Sequence, residues 1–264
     1  MRFFVTLSYD GTRFHGWQVQ PNGISVQEEL QRALSLLLRK DITVTGAGRT
    51  DTGVHARMMV AHFDYERGEG ITAEAPTRSL CELRGECIDC QQLAYKLNRI
   101  LPQDIAVQRV ELVADNMHAR FSAVARTYYY YIHTVKNPFL RHYSCELHYD
   151  LDFSLMNQAA AILLEYEDFG AFCKSHSDVK TTLCHVMKAE WTETEPGQWR
   201  FEIVANRFLR NMVRAVVGTL IEVGRHRLNL DDFRRVIEGK RRTEAGESMP
   251  AKSLFLQKIE YAQP

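Results

Sequence analysis

The chain has 264 residues, of which 45% are hydrophobic and 25% charged, a composition ordinary for a soluble globular protein. No apolar run approaches the roughly 20 residues that cross a bilayer, and Met1–Phe4 lead into an alternating pattern rather than a signal sequence. We therefore expect a cytoplasmic protein with no membrane contact. The formal net charge is zero, which excludes a uniformly basic protein.

The charges are unevenly distributed along the chain. Residues 207–242 hold ten Lys or Arg against four acidic residues, whereas residues 64–90 hold seven acidic residues against three arginines. A basic surface for nucleic acid can therefore exist on a neutral protein. A solvated helix face would also account for some of these arginines.

The six cysteines predict free thiols, because the chain is long and carries no export signal. Only Cys87 and Cys90, with Cys81 upstream, are spaced like zinc ligands. A zinc ribbon needs a second close pair, and Cys173 and Cys184 are too far apart in sequence to form one. We expect no metal.

The first half of the chain predicts the order β-α-β-β-α-β. Residues 2–9 alternate as a half-buried strand, and Ser25 with Glu28 forms a capping box before a helix of apolar residues at helical spacing. The remaining predicted elements are strands near 41–46 and 57–63, a helix near 91–100 and a strand at 105–113.

The second half predicts the same order with one additional helix. Its elements are a strand at 127–133, a helix near 153–164, strands near 182–193 and 199–205, helices near 208–223 and 230–239, and a strand near 254–260. Each half matches the split β-α-β, or ferredoxin-like, motif. We predict an α+β fold with halves 1–114 and 115–264, whose sheets join around a central cleft. An acidic, cysteine-containing insertion is expected at about 65–91.

A glycine-rich loop places Asp51 between Arg49 and His55, in the run Gly46-Ala-Gly-Arg-Thr-Asp-Thr-Gly-Val-His-Ala56. An ionised carboxylate is a nucleophile, and nearby positive charge favours the ionised form. The run lacks the Lys and hydroxyl of a Walker loop and the third glycine of a dinucleotide fingerprint. The residues alone leave a reactive carboxylate and an ordinary turn between strands equally open.

Several motifs resemble those of one known family. Six stretches of the chain are similar to motifs of the TruA family of tRNA pseudouridine synthases and follow the same order along the sequence. They are Tyr9-Asp-Gly-Thr12, Gly16-Trp-Gln-Val-Gln-Pro21, the loop at 48–56, His118-Ala-Arg-Phe-Ser122, Ala125-Arg-Thr-Tyr128 and Phe208-Leu-Arg-Asn-Met-Val-Arg214. The resemblance covers most of the chain. It implies the pseudouridine synthase fold and isomerisation of uridine to pseudouridine at positions 38, 39 and 40 of the tRNA anticodon stem-loop. It further implies a homodimer with no cofactor.

The resemblance also assigns roles to three residues. Asp51 matches the catalytic aspartate, Arg214 the arginine that pairs with it, and Tyr128 the residue that stacks on the target base. From the residues alone, Arg207, Arg210 and Arg214 recur on one face of the predicted helix at 208–223, where an arginine suits a carboxylate or a phosphate equally well.

The tyrosines at 128–131 alternate along a strand, so Tyr128 and Tyr130 are expected to face one way and the other two the opposite way. Aromatic rings stack on unpaired bases, but tyrosine is also favoured in sheet packing, and we expect packing for at least two of the four.

Five further residues are predicted to contact RNA at the site. Four would form a positive lining that contacts phosphates, namely Arg49, His55, Arg120 and Arg126. Gln18, on a polar loop beside Trp17, resembles an RNA-facing segment of the family.

Three rival functions remain at this point. A pseudouridine synthase for another RNA would keep the chemistry and change the target. A non-catalytic RNA-binding module shares the split β-α-β topology, although the aromatic pattern of an RRM is missing. A carboxylate-using hydrolase would need a second carboxylate in a motif, and the sequence shows none.

Overall fold

The computed structural model describes residues 1–65, 88–174 and 179–262, which form one nine-stranded sheet and five α-helices. The predicted insertion at 65–91, with Cys81 and Cys87, lies for the most part outside these residues. Cys145, Cys173 and Cys184 are free thiols, as predicted. Within the described parts of the chain, no helix is long and apolar enough to span a bilayer.

The first half folds as predicted into a β-α-β-β-α-β unit. Its elements are β1 (Arg2–Tyr9), α1 (Val26–Leu38), β2 (Val44–Gly46), β3 (His55–Asp64), α2 (Cys90–Ile100) and β4 (Ile105–Val113). The Oγ of Ser25 accepts a hydrogen bond from the Glu28 amide and so caps α1. The strands lie in the order β4-β1-β3-β2, and α1 and α2 pack on this sheet through Leu30, Leu34 and Leu97.

The second half repeats this arrangement. Its elements are β5 (Ala123–His133), β6 (Cys145–Glu146), α3 (Phe153–Ile162), β7 (Val186–Glu195), β8 (Gln198–Ala205), α4 (Met212–Gly224), α5 (Leu230–Gly239) and β9 (Leu254–Tyr261). The main strands lie in the order β9-β5-β8-β7, which matches the order of the first half, and β6 adds to β5. The predicted α+β class with two ferredoxin-like halves is therefore confirmed.

One predicted helix begins later than its sequence pattern indicates. Asn211, the residue before α4, has a left-handed backbone with φ of 67°. An αL residue interrupts a right-handed helix, so the helix starts at Met212 rather than near 208. The prediction that Arg207, Arg210 and Arg214 share a helix face is therefore wrong, because Arg207 and Arg210 precede the helix.

A short parallel pairing between β3 and β9 joins the two sheets. His55 pairs with Phe255 and Ala56 with Leu256, while β2 pairs with the other end of the same edge of β3. Each half also reaches into the core of the other. Val54 packs in the second-half core, and Leu256 and Ile259 pack in the first-half core. The division at residues 114 and 115 stays a prediction.

His62 makes the stability of the first half sensitive to acid. Its side chain is buried on β3, and its Nδ1 accepts a hydrogen bond from the Ala119 amide at 3.2 Å. Burial, with the nearby Arg2 and His118, lowers the pKa of His62 to about 4. The folded state therefore keeps this ring neutral at a pH where the unfolded chain binds a proton.

We predict that the free energy of unfolding falls by about 2 kcal/mol between pH 7 and pH 5 because of His62. The contribution of the neutral ring to stability is complete above the ordinary histidine pKa. It is lost as the pH falls from that value towards the pKa of His62 in the folded protein. Urea unfolding of the native protein and of His62→Asn at both pH values measures this. The Asn oxygen can accept the Ala119 amide but does not titrate. Equal pH dependence in the two proteins would contradict the prediction.

Candidate active site

The loop that carries Asp51 connects β2 to β3 and is held by the segment at 14–17. The Trp17 amide donates to the Thr50 carbonyl at 3.3 Å, and the Gly53 amide donates to the Phe14 carbonyl at 3.4 Å. The Asp51 carbonyl accepts the Val54 amide at 3.1 Å, which closes a tight turn. These bonds leave the Asp51 side chain 28% exposed.

The structure explains why glycine is required at two positions of the loop. Gly53 has a φ of 79°, a left-handed conformation that other residues adopt at a cost. A Cβ on Gly46 would lie 2.4 Å from the indole of Trp17, which is buried beneath the loop. The ring of Trp17 therefore supports the loop from below, and only glycine leaves room for it.

Arg214 reaches Asp51 from the second half of the chain. Its Nη1 lies 3.5 Å from Oδ2 of Asp51, and its Nε donates to the Met249 carbonyl at 2.5 Å. The second bond fixes the plane of the guanidinium, so that its remaining donors face the carboxylate. Nε of Arg210 lies 3.9 Å from Oδ1 of Asp51 on a more exposed side chain. Each oxygen of the Asp51 carboxylate therefore has a positively charged arginine near it.

Tyr128 lies beside this ion pair on β5. The pairing of β5 with β9 shifts register between Thr127 and Tyr128, and the ring of Tyr128 packs edge-on against Phe208 with centroids 5.1 Å apart. Burial, together with the negative charge of Asp51, raises the pKa of the Tyr128 hydroxyl. The phenol is therefore protonated at neutral pH, next to the carboxylate.

The other tyrosines of this strand follow the predicted alternation. Tyr130 is fully buried in the same core that Tyr128 borders, and its hydroxyl donates to the Pro250 carbonyl at 3.0 Å. Tyr129 and Tyr131 contact each other edge-on, with the guanidinium of Arg200 over the ring of Tyr129. All four rings thus take part in packing.

Arg49 and Gln18 lie together on the exposed rim of the loop. The Nε of Arg49 donates to Oε1 of Gln18 at 3.2 Å, and both side chains are exposed. Arg120 is also exposed, with its guanidinium over the ring of Phe121. These three side chains are free to contact a large ligand.

Arg126 has a different position from the one predicted. Its guanidinium donates to four backbone carbonyls, those of Ala123, Asn206, Ala47 and Arg120. Burial lowers the pKa of this group, since no carboxylate lies among its partners. Most of its donors are consumed inside the protein, so the structure places Arg126 as a clamp between the Asp51 loop and the segment at 120–123 rather than as an open phosphate contact.

His55 also differs from its predicted role. Its side chain is only 1% exposed, and both ring nitrogens are hydrogen-bonded to backbone groups, Nδ1 to the Gly11 amide and Nε2 to the Lys252 carbonyl, each at 3.0 Å. Burial lowers the pKa of the ring. A neutral, enclosed imidazole cannot contact a phosphate, so the prediction of a positively charged lining residue at this position is wrong.

Comparison with known proteins identifies the family of the chain. A family model described as tRNA pseudouridine synthase matches residues 6–122 and 159–262. The chain belongs to this family. It is 55% identical to the tRNA pseudouridine synthase A of Bacteroides fragilis, over 99% of this chain and 97% of the relative. It is 52% identical to that of Bacteroides thetaiotaomicron, over 99% and 91%. The corresponding figures for Bacillus subtilis are 38% identity over 99% of both chains. Each of these relatives is named tRNA pseudouridine synthase A, and the predicted enzyme class, an isomerase, is confirmed.

Three features of this tRNA pseudouridine synthase family member escaped the sequence reasoning. Phe208 supports Tyr128, Arg210 approaches Asp51, and the Met249 carbonyl orients Arg214. The first two lie in the motif at 208–214. Helical spacing could not locate them, because the chain there is not yet helical.

The clamp position of Arg126 predicts a stability effect. We expect Arg126→Met to lower the free energy of unfolding by about 2–4 kcal/mol, because four carbonyls lose charge-assisted hydrogen bonds while the stem still packs. Urea denaturation measures the change. Arg120→Met, an exposed neighbour in the same segment, is the control and should change it by less than about 0.5 kcal/mol. Similar small effects in both variants would show that Arg126 is not a clamp.

Proposed function

We propose that the protein isomerises uridine to pseudouridine in the anticodon stem-loop of tRNA, at positions 38, 39 and 40, with Asp51 as the nucleophile. The observation that carries this proposal is the Asp51 carboxylate itself. It is partly exposed, with Arg214 from the second half 3.5 Å away and the ring of Tyr128 beside it. Membership of the family supplies the reaction, and this geometry supplies a nucleophile with a fixed orientation.

The reaction needs no redox step. The bond between N1 of uracil and C1′ of ribose breaks, the base rotates, and C5 bonds to C1′. The proton at C5 is lost and N1 regains a proton, so atoms and electrons balance. Asp51 promotes this either by attack on C1′ or by addition to C6 of the ring. Both routes require the carboxylate to approach the face of an extruded nucleotide.

Arg214 holds the carboxylate for this attack. Its bond to the Met249 carbonyl restricts rotation of the guanidinium, and its position in the first turn of α4 ties it to the second-half core. Preorganised charge of this kind stabilises the reacting carboxylate without reorganisation during the reaction. Lysine at this position would lack the forked donor pattern that makes both contacts.

Tyr128 is suited to stack on the flipped base. Extrusion of a base costs a few kcal/mol, and stacking on an aromatic ring returns about 1–3 kcal/mol per base. The edge-on contact with Phe208 holds the ring of Tyr128 in place. The raised pKa of its hydroxyl keeps the phenol protonated, which favours stacking over a role as the base that removes the C5 proton.

The exposed rim residues Arg49, Gln18 and Arg120, with Arg210 above Asp51, would contact the RNA backbone. Such contacts set the register of an RNA without reading its sequence. His55 is buried, and Arg126 is half-buried with its donors bonded to backbone carbonyls, so both support this surface from behind. The proposed RNA-binding surface therefore has fewer charges than the sequence predicted.

We also propose that the protein acts as a homodimer, so that one subunit can bind the body of the tRNA while the other performs the chemistry. The partly exposed rings of Tyr129 and Tyr131 on one face of the sheet support this, because aromatic residues are enriched at protein interfaces. Light scattering at micromolar concentration should give twice the chain mass of 30.5 kDa. A mass of one chain, with full activity, would contradict the proposal.

The proposed function predicts tritium release from tRNA that carries 5-tritiated uridine. Release by the native protein should fall to background in Asp51→Asn, because the amide is not a nucleophile while its shape is retained. Asp41→Asn, an exposed aspartate before β2, is the matched control and should release tritium at the native rate. Mapping of the modified positions tests the stem-loop assignment.

Three outcomes would contradict parts of this proposal. Equal release by Asp51→Asn would remove the aspartate mechanism. Release from another RNA, or at other positions, would leave the chemistry and change the target. Binding of tRNA without any release by the native protein would favour the non-catalytic RNA-binding module.

A further inference from the structure

We propose that His55 is a positioning residue that fixes Asp51 against Arg214 by hydrogen-bonding across the junction of the two sheets. The inference rests on the proposed function, since it concerns the alignment of the same two groups. It assigns to His55 neither contact with RNA nor a chemical step.

His55 lies where the two halves meet. It is the first residue of β3 and pairs with Phe255 of β9, and its ring stacks on the Phe255 ring with centroids 4.5 Å apart. Its Nε2 donates to the Lys252 carbonyl in the second half, and its Nδ1 accepts from the Gly11 amide in the first half. One buried ring thus bonds to both halves of the chain.

These bonds complete a closed circuit through the site. Asp51 lies four residues before His55, and His55 bonds to Lys252. Lys252 lies three residues after Met249, whose carbonyl accepts the Nε of Arg214 and whose amide donates to the Arg214 carbonyl at 3.2 Å. Arg214 then returns to Asp51. A relative movement of the two halves would have to break one of these contacts.

The intervening segment at 249–252 is held by contacts of its own. The Tyr130 hydroxyl donates to the Pro250 carbonyl from the core below, and Ala251 begins a short 3₁₀ turn. Displacement of Lys252 would therefore be transmitted to Met249, and from there to the guanidinium of Arg214.

The two backbone bonds correspond to a neutral ring with its proton on Nε2. In this tautomer Nδ1 accepts from the Gly11 amide and Nε2 donates to the Lys252 carbonyl. The Asp10 carboxylate lies 3.1 Å from Nδ1, and it is held by the Tyr143 hydroxyl at 2.7 Å and by the Thr12 amide at 2.9 Å. A protonated ring would lose the Gly11 bond.

The test compares one substitution at two buried histidines. His55→Asn places an oxygen near the position of Nδ1 for the Gly11 amide but is too short to donate to Lys252. His133→Asn is the matched control, because His133 is also 1% exposed on a strand, with Nδ1 bonded to Ser144 at 2.9 Å. His55→Gln, which has an acceptor and a donor at its tip, is the conservative rescue.

We expect His55→Asn to lower kcat for tritium release about tenfold or more, since a displacement of about 1 Å in a reacting group can cost a hundredfold in rate. KM should stay within about twofold, because no RNA contact is lost. His55→Gln should recover part of kcat. His133→Asn should lose a similar amount of stability in urea and retain the native kcat.

Separate results would overturn the inference and the proposed function. An unchanged kcat in His55→Asn would overturn the positioning role, and a raised KM with a weaker salt dependence would instead make His55 a phosphate contact. If the variant does not fold, ¹⁵N NMR of the native protein decides, because a cationic ring or an Nδ1–H tautomer at neutral pH excludes this circuit. No release by the native protein would overturn the proposed function itself.

Discussion

The candidate active site depends on bringing Asp51 and Arg214 together from opposite halves of the chain, 163 residues apart. An ion pair between accessible side chains stabilises a protein by only about 0–1 kcal/mol, so it cannot hold the halves together by itself. The β3–β9 pairing and the shared cores do so, since Val54 packs in one core and Leu256 in the other. The pair can then be positioned for chemistry rather than for stability.

Repetition of one unit brings the parts of the site to the junction of the two halves. Each half arranges its four strands in the same order, and the two sheets join through β3 and β9. The Asp51 loop lies at the edge of one unit, and the start of α4 lies at the edge of the other. Polar side chains then hold the edges together, as the half-buried Arg126 does through four carbonyls and the buried His55 through two backbone groups. Such groups are stabilising only when their hydrogen bonds are satisfied.

Local patterns predicted most of the elements and failed at particular residues. Alternation located β1, and apolar spacing with a Ser25 cap located α1, because both signals depend on neighbours in sequence. The start of α4 was missed because Asn211 adopts a left-handed conformation that no spacing rule reveals. His55 and Arg126 were predicted as open contacts because a charge-bearing residue near a motif resembles a ligand contact. Their burial depends on Lys252 and Asn206, which are distant in sequence.

The sequence by itself determined the order of the elements, the α+β class, the loop that presents Asp51 and the family to which its motifs belong. These follow from local periodicity and from contiguous motifs. Only the tertiary structure decided which charges remain accessible, because exposure results from packing between distant segments. It also decided that Arg214 lies against Asp51, with the plane of its guanidinium fixed by the Met249 carbonyl. It decided as well that the His55 ring is buried at the junction and hydrogen-bonded to both halves. Hydrogen bonds of this kind form between residues whose proximity the fold alone creates.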